Sequence, residues 1–135
     1  MRASVSIAWC CLLVLMTAKV SIAEPPQARV ESVRRAYLNG EHNAFTDLTR
    51  FRGQLYLTFR SCPDGHMVHP TARIRILTSR DEGQTWTEVH QFQVAKRDTR
   101  DPHFLVFRDK LFVYTGTWYS GDKTIAPKDY DMNLH

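Results

Sequence analysis

The chain repeats itself. Phe51-Arg52-Gly53-Gln54-Leu55-Tyr56-Leu57 returns as Phe107-Arg108-Asp109-Lys110-Leu111-Phe112-Val113, an offset of 107 − 51 = 56 residues. In both copies an aromatic closes one segment, a basic residue and a turn follow, and an apolar–aromatic–apolar segment opens. A self-match at fixed spacing marks a repeat architecture; the alternative is two unrelated hairpins that look alike. The contents of one period narrow the choice. Residues 44–51 are rich in β-formers, 52–54 read as a short turn, and 55–59 (LYLTF) complete a hairpin. A polar loop at 61–71 carries Pro63-Asp64-Gly65 and Pro70. Residues 73–78 alternate, with Ile74 and Ile76 on one face, and 86–92 alternate again beyond a tight turn at 81–84. Four short antiparallel strands per repeat is the pattern of a propeller blade. The expected fold class is all-β, a partial β-propeller with one blade at about 44–93 and a second starting at about 101–135.

The turn between the third and fourth strands is the most specific motif. Ser79-Arg80-Asp81-Glu82-Gly83-Gln84-Thr85-Trp86 fits S-x-D-x-G-x-T-W at every fixed position. Asp81 can accept hydrogen bonds from N–H groups of its own turn. Gly83 can take a positive φ, Thr85 suits a strand start, and Trp86 can pack beneath the turn. These five residues, Ser79, Asp81, Gly83, Thr85 and Trp86, are structural and name no reaction.

With this Asp-box in place, residues from about 42 to 118 resemble the first blade and the start of the second in sialidase-like BNR/Asp-box propellers. The resemblance implies a six-bladed exo-α-sialidase that hydrolyses terminal sialic acids of glycans. Such enzymes use three arginines on the sugar carboxylate, an Asp acid/base and a Tyr–Glu nucleophile pair, with no metal or cofactor. The likeness is partial. Aligned on the shared hairpin, the family's Phe-Arg-Ile-Pro motif falls on Asn43-Ala44-Phe45-Thr46, so its first arginine is replaced by Ala44. The residues expected to reach the central pocket are His42, Asn43 and Asp47 around the first inner strand, Arg60 at the end of the second strand, and Arg100-Asp101 opening the second blade. Asp101 and Asp47 are the candidate catalytic carboxylates. Arg100, Arg60, His42 and Asn43 are the candidate sugar contacts. The alternatives are an ion pair at a strand start for Arg100 and Asp101, and a turn stabiliser for Asp47. A non-catalytic carbohydrate-binding propeller, or a propeller glycosidase of another family, competes as the overall reading.

The rest of the sequence sets the context. Arg2, the apolar run 7–16, and Ser21 and Ala23 before Glu24 read as a secretory signal at 1–23, with an uncleaved anchor as the alternative. Cleavage at this point makes the protein secreted or periplasmic, without a membrane span. It also removes Cys10 and Cys11, leaves Cys62 alone, and rules out an internal disulfide. The formal charge of +4 falls to 16 − 14 = +2 without Arg2 and Lys19, too weak and dispersed for nucleic acid. The six histidines show no metal-ligand spacing, so no metal is expected. Residues 24–43 are a linker in which 29–38 has both helical and strand spacing; under the resemblance this segment is a candidate ring-closing strand. Fewer than two blades fit after Asn43 and a closed propeller needs at least four, so the expectation is a truncated product or fragment that is inactive alone.

Overall fold

A computed structural model describes residues 26–125. The signal expected at 1–23 and the residues after Ile125 lie outside the described range. The chain divides into two compact units, Met1–Glu31 and Ser32–His135. In the first, the described residues 26–31 are exposed and without regular structure.

The second unit is all-β, with no helix among the described residues. Its strands are β1 (His42–Phe51), β2 (Gln54–Cys62), β3 (Arg73–Ser79), β4 (Thr87–Phe92), β5 (Arg97–Phe107) and β6 (Lys110–Tyr119). The first four form one antiparallel sheet in sequence order, and β5 and β6 form a separate hairpin. Residues 29–38 are neither helix nor strand. No ladder partner stands beside them, and Val33 and Leu38 remain exposed, so neither alternative gains enough burial to form.

The 56-residue repeat is written into the backbone. Positive φ recurs at Phe45 (58°) and Asp101 (51°), at Arg52 (47°) and Arg108 (46°), and at Gly53 (78°) and Asp109 (57°). Each pair is separated by the same interval (101 − 45 = 108 − 52 = 109 − 53 = 56). Positive φ at both central residues is what a two-residue type I′ hairpin turn requires. The pairing repeats as well. Ala44↔Arg60 and Asp47↔Thr58 in the first hairpin become Arg100↔Gly116 and His103↔Tyr114 in the second. Both registers slip at the same point, between Ala44 and Asp47 and between Arg100 and His103, which defines a β-bulge in β1 and another in β5.

β5 begins at Arg97, so Arg100 and Asp101 lie inside a strand at its bulge and do not open it. The sequence pattern missed this because Arg97-Asp98-Thr99 lacks apolar residues; those positions are strand because Asp98 and Thr99 are buried by tertiary contacts. His42 and Asn43 likewise belong to β1 and not to the preceding linker.

The hairpin packs across the face of the first sheet. Ile74, Thr58 and Arg60 from the sheet, Asp98, Thr99 and Pro102 from β5, and Val68 from the β2–β3 loop are fully buried between them. Asp47 joins the layers: its Oδ2 accepts the Phe104 N–H at 2.8 Å, and its Oδ1 accepts the Leu48 N–H at 2.9 Å. Arg52 in the β1–β2 turn meets the Asp109 carboxylate of the β5–β6 turn at 2.7 Å. Cys62 is a buried free thiol whose sulfur lies 3.7 Å from Thr71 Oγ1.

The Asp-box turn has the hydrogen bonding its residues suggest. Asp81 Oδ1 accepts the Thr85 N–H at 2.9 Å and the Ser79 hydroxyl at 2.8 Å; Oδ2 accepts the Thr85 hydroxyl at 2.6 Å. Ser79 Oγ accepts the Gly83 N–H at 2.9 Å. Gly83 has a φ of +79° and faces the Trp86 ring, which a Cβ at Gly83 would touch at 3.5 Å. Hydrogen bonds from Thr85 and Ser79 hold the Asp81 carboxyl down at about 2, against an ordinary 3.8. A depressed carboxyl stabilises the fold fully above its unfolded pKa and loses that effect as pH falls through its folded one. The Asp81 contribution is therefore present above 3.8 and disappears toward about 2. In acid unfolding followed by circular dichroism, Asp81→Asn is expected to be less stable than wild type at neutral pH and to lose stability less steeply across that window. Parallel curves would show that the carboxylate charge is not what the turn uses.

Candidate functional site

The bulges of β1 and β5, the end of β2 and the β2–β3 loop converge on one buried carboxylate. Asp98 has no exposed side-chain surface. Its Oδ1 accepts Arg60 Nε at 2.9 Å; its Oδ2 accepts Arg60 Nη2 at 2.9 Å, Arg100 Nη2 at 2.5 Å and the His69 N–H at 3.0 Å. Burial opposes ionisation of Asp98, but the hydrogen bonds from Arg60 and Arg100 outweigh it and keep the carboxyl below its usual range.

Arg60 and Arg100 share this anion but are used differently. Arg60 is fully buried, and its remaining donors go to the Gly65 and Met67 carbonyls at 3.0 and 2.9 Å, so it pins the β2–β3 loop. Arg100 keeps 10% of its side chain accessible. Its Nη2 also reaches the Met67 carbonyl at 3.1 Å, while its buried Nε has no partner. The guanidinium carbon lies 5.6 Å from the Phe45 ring centroid and 5.7 Å from that of Trp118. Two cations on one carboxylate leave a surplus positive charge, and Arg100 is the member of the cluster that carries it toward the surface.

Two histidines beside the cluster are shifted toward the neutral form. Burial lowers the pKa of His42, and His66, Arg60 and Arg100 lower it further. Burial likewise lowers that of His69, whose Nδ1 lies 2.9 Å from Thr124 Oγ1. The His42 and His66 rings meet edge to face at 5.0 Å, and His66 also lies against Phe45 at 5.6 Å. Asp101 sits at the β5 bulge with its side chain exposed and a carboxylate oxygen over Gly116. A non-glycine residue held at positive φ stores strain, and such residues concentrate at functional sites.

Of the residues singled out from the sequence, Arg60 and Arg100 come together on Asp98, with Asp101 at the β5 bulge and His42 at the start of β1, ahead of its bulge. Asn43 turns away: its amide donates to Asn39 Oδ1 at 2.9 Å and to the Glu41 carbonyl at 3.2 Å. Asp47 bonds to the backbone of β1 and β5, as a stabiliser would. Asp98, His69, Phe45 and Trp118 escaped the sequence reading. The repeat could have flagged the carboxylate, because Asp98 stands where β1 has His42 (98 − 42 = 56). Among the described residues no group of three or more His, Cys, Asp or Glu side chains could hold a metal ion. In the same residues no helix is long and apolar enough to cross a membrane.

Comparison of the chain with family models, with curated proteins and with solved structures finds no match.

Proposed function

We propose that the chain carries the first blade and the beginning of the second of a secreted, sialidase-like propeller acting on terminal, acidic sugars of glycans. The observation that carries the reading is the conjunction of an Asp-box turn with a hairpin whose register, bulge and turn recur after 56 residues. In this reading Arg100 receives the carboxylate of the sugar and Asp101 is the acid/base. Arg100 suits the role because it is the guanidinium of the cluster that keeps accessible surface, its side chain lies between two aromatic rings, and its cluster has a net positive charge. Arg60 and Asp98 then act as positioning residues, fixing Arg100 from behind.

A non-catalytic carbohydrate-binding propeller is the second reading. It is favoured by Ala44, which occupies in β1 the register position that Arg100 occupies in β5 (100 − 44 = 56).

A fluorogenic sialoside, assayed on a longer product that carries the remaining blades, separates the two. Turnover should fall about 100-fold in Arg100→Ala, the scale expected for losing a charge-assisted contact to the transition state, and comparably in Asp101→Asn. Binding of the sialoside without turnover, weakened in Arg100→Ala, would favour the second reading. Neither turnover nor binding would end both.

A further inference from the structure

The turn that leads into β1 carries a reactive pair. Asn39 is followed by Gly40, both are exposed, and residues 29–38 before them have no regular structure. Gly40 holds a φ of +79°, and nothing lies within 4 Å of where a Cβ would stand. Neither a side chain of its own nor one from elsewhere in the fold therefore crowds this peptide. Among the described residues no acceptor takes the Gly40 N–H. A peptide nitrogen this free, next to a carboxamide, is a nucleophile for cyclisation. On losing its proton to hydroxide it attacks Asn39 Cγ and closes a succinimide ring. The N–Cγ bond forms, the Cγ–Nδ2 bond breaks, and ammonia leaves with a proton taken from water. Water then opens the ring at either carbonyl, giving aspartate or isoaspartate. The sum is carboxamide plus water to carboxylate plus ammonium, with no change of oxidation state.

The fold guards this step. Asn39 Oδ1 accepts the Glu41 N–H at 3.1 Å and Asn43 Nδ2 at 2.9 Å, and Asn39 Nδ2 donates to Ser61 Oγ at 3.0 Å. Ring closure swings the carboxamide toward Gly40 and breaks these bonds, so it takes place in molecules whose segment before β1 has lifted locally from the sheet. The same bonds make the product unlike its precursor. Ser61 donates its hydroxyl proton to Glu41 Oε2, and Glu41 pairs with Arg73 at 3.3 Å. An aspartate at position 39 has no proton to offer Ser61 Oγ, and it sets another carboxylate beside Glu41, where like charges repel. Isoaspartate also lengthens the backbone by a methylene. We propose that Asn39 is a self-modification site: cyclisation with Gly40, gated by opening of the segment before β1, converts it to aspartate or isoaspartate and leaves that segment loosened from the sheet. The groups involved all belong to the first sheet and the segment before it, so the proposal stands independently of any glycosidase activity.

The test is peptide mass spectrometry of the full chain aged in mildly alkaline buffer, following the amide-to-acid mass change at each asparagine. Asn43 is the internal control, because it is held in the β1 ladder and followed by Ala44. Asn39 should convert ahead of Asn43. Tyr37→Ala, which removes the ring that packs on Phe59, should convert Asn39 about tenfold faster, equivalent to ~1.4 kcal/mol less anchoring of the segment. Ser61→Ala, which removes the acceptor of the Asn39 amide, repeats the comparison if Tyr37→Ala loses its β circular dichroism. Asn39→Asp makes one product directly and should speed amide exchange across residues 35–39. Conversion of Asn43 ahead of Asn39, no conversion or equal rates in wild type and the opened variant, or unchanged exchange in Asn39→Asp would each overturn the proposal.

Discussion

Replacing Asp98 by alanine should destabilise the fold by about 3–5 kcal/mol, the cost of removing one partner from a buried ion pair. The effect should lie at the upper end of that range. Asp98 is bound by two guanidinium groups and a backbone N–H, so its loss leaves Arg60 and Arg100 as unneutralised cations side by side and orphans the His69 N–H. A fold with an ordinary stability of 5–15 kcal/mol would then be close to unfolding. Arg60→Met should cost less, because Asp98 keeps Arg100; what it loses is the anchoring of the loop through the Gly65 and Met67 carbonyls. Urea denaturation of the two variants gives the comparison. If Asp98→Ala proves milder than Arg60→Met, the cluster is not organised around the carboxylate.

What the sequence disclosed and what it hid follow from the range of the forces involved. The hairpins were legible because their signals are local: alternating apolar residues, a two-residue turn, and a Ser-Asp-Gly-Thr-Trp motif whose bonds all fall between Ser79 and Trp86. The repeat was legible because it needs only comparison of the chain with itself. Asp98 was not. Its role depends on Arg60, 38 positions away, and on the His69 N–H, 29 positions away, and no local pattern encodes such a contact. The same holds for Asp47. Beside its own turn it reads as a stabiliser or a sugar contact with equal force, and only the Phe104 N–H from across the layer shows which backbone it serves. The start of β5 was misplaced for a related reason: a charged run is held as strand by partners distant in sequence. Arg100 and Asp101 are legible as a pair, but their placement at a bulge, which separates a buried guanidinium from an exposed carboxylate, depends on the register with β6.

Phe59→Ala should remove about 3–5 kcal/mol, the usual loss for truncating a buried aromatic. Phe59 is 2% exposed. It precedes Arg60 in β2, so the two side chains point to opposite faces of the sheet. Arg60 faces the hairpin, and Phe59 faces the segment before β1, where the Tyr37 ring lies 5.1 Å away and Arg75 stacks on Tyr37 at 5.5 Å. β2 is therefore covered on both sides, which explains why its last five residues are buried without interruption. Truncation at Phe59 should do more than open a cavity. Tyr37, together with the Asn39 amide that donates to Ser61 Oγ at 3.0 Å, ties the otherwise irregular segment before β1 to the sheet, so amide protection around Tyr37 should fall along with global stability. Tyr37→Ala should release the same segment at smaller global cost, since Tyr37 is only partly buried. Hydrogen exchange resolves the two effects. Unchanged protection of residues 35–39 in Phe59→Ala, beside a lowered global stability, would mean that the segment is held by something other than this aromatic contact, and that β2 owes its outer burial to the sheet alone.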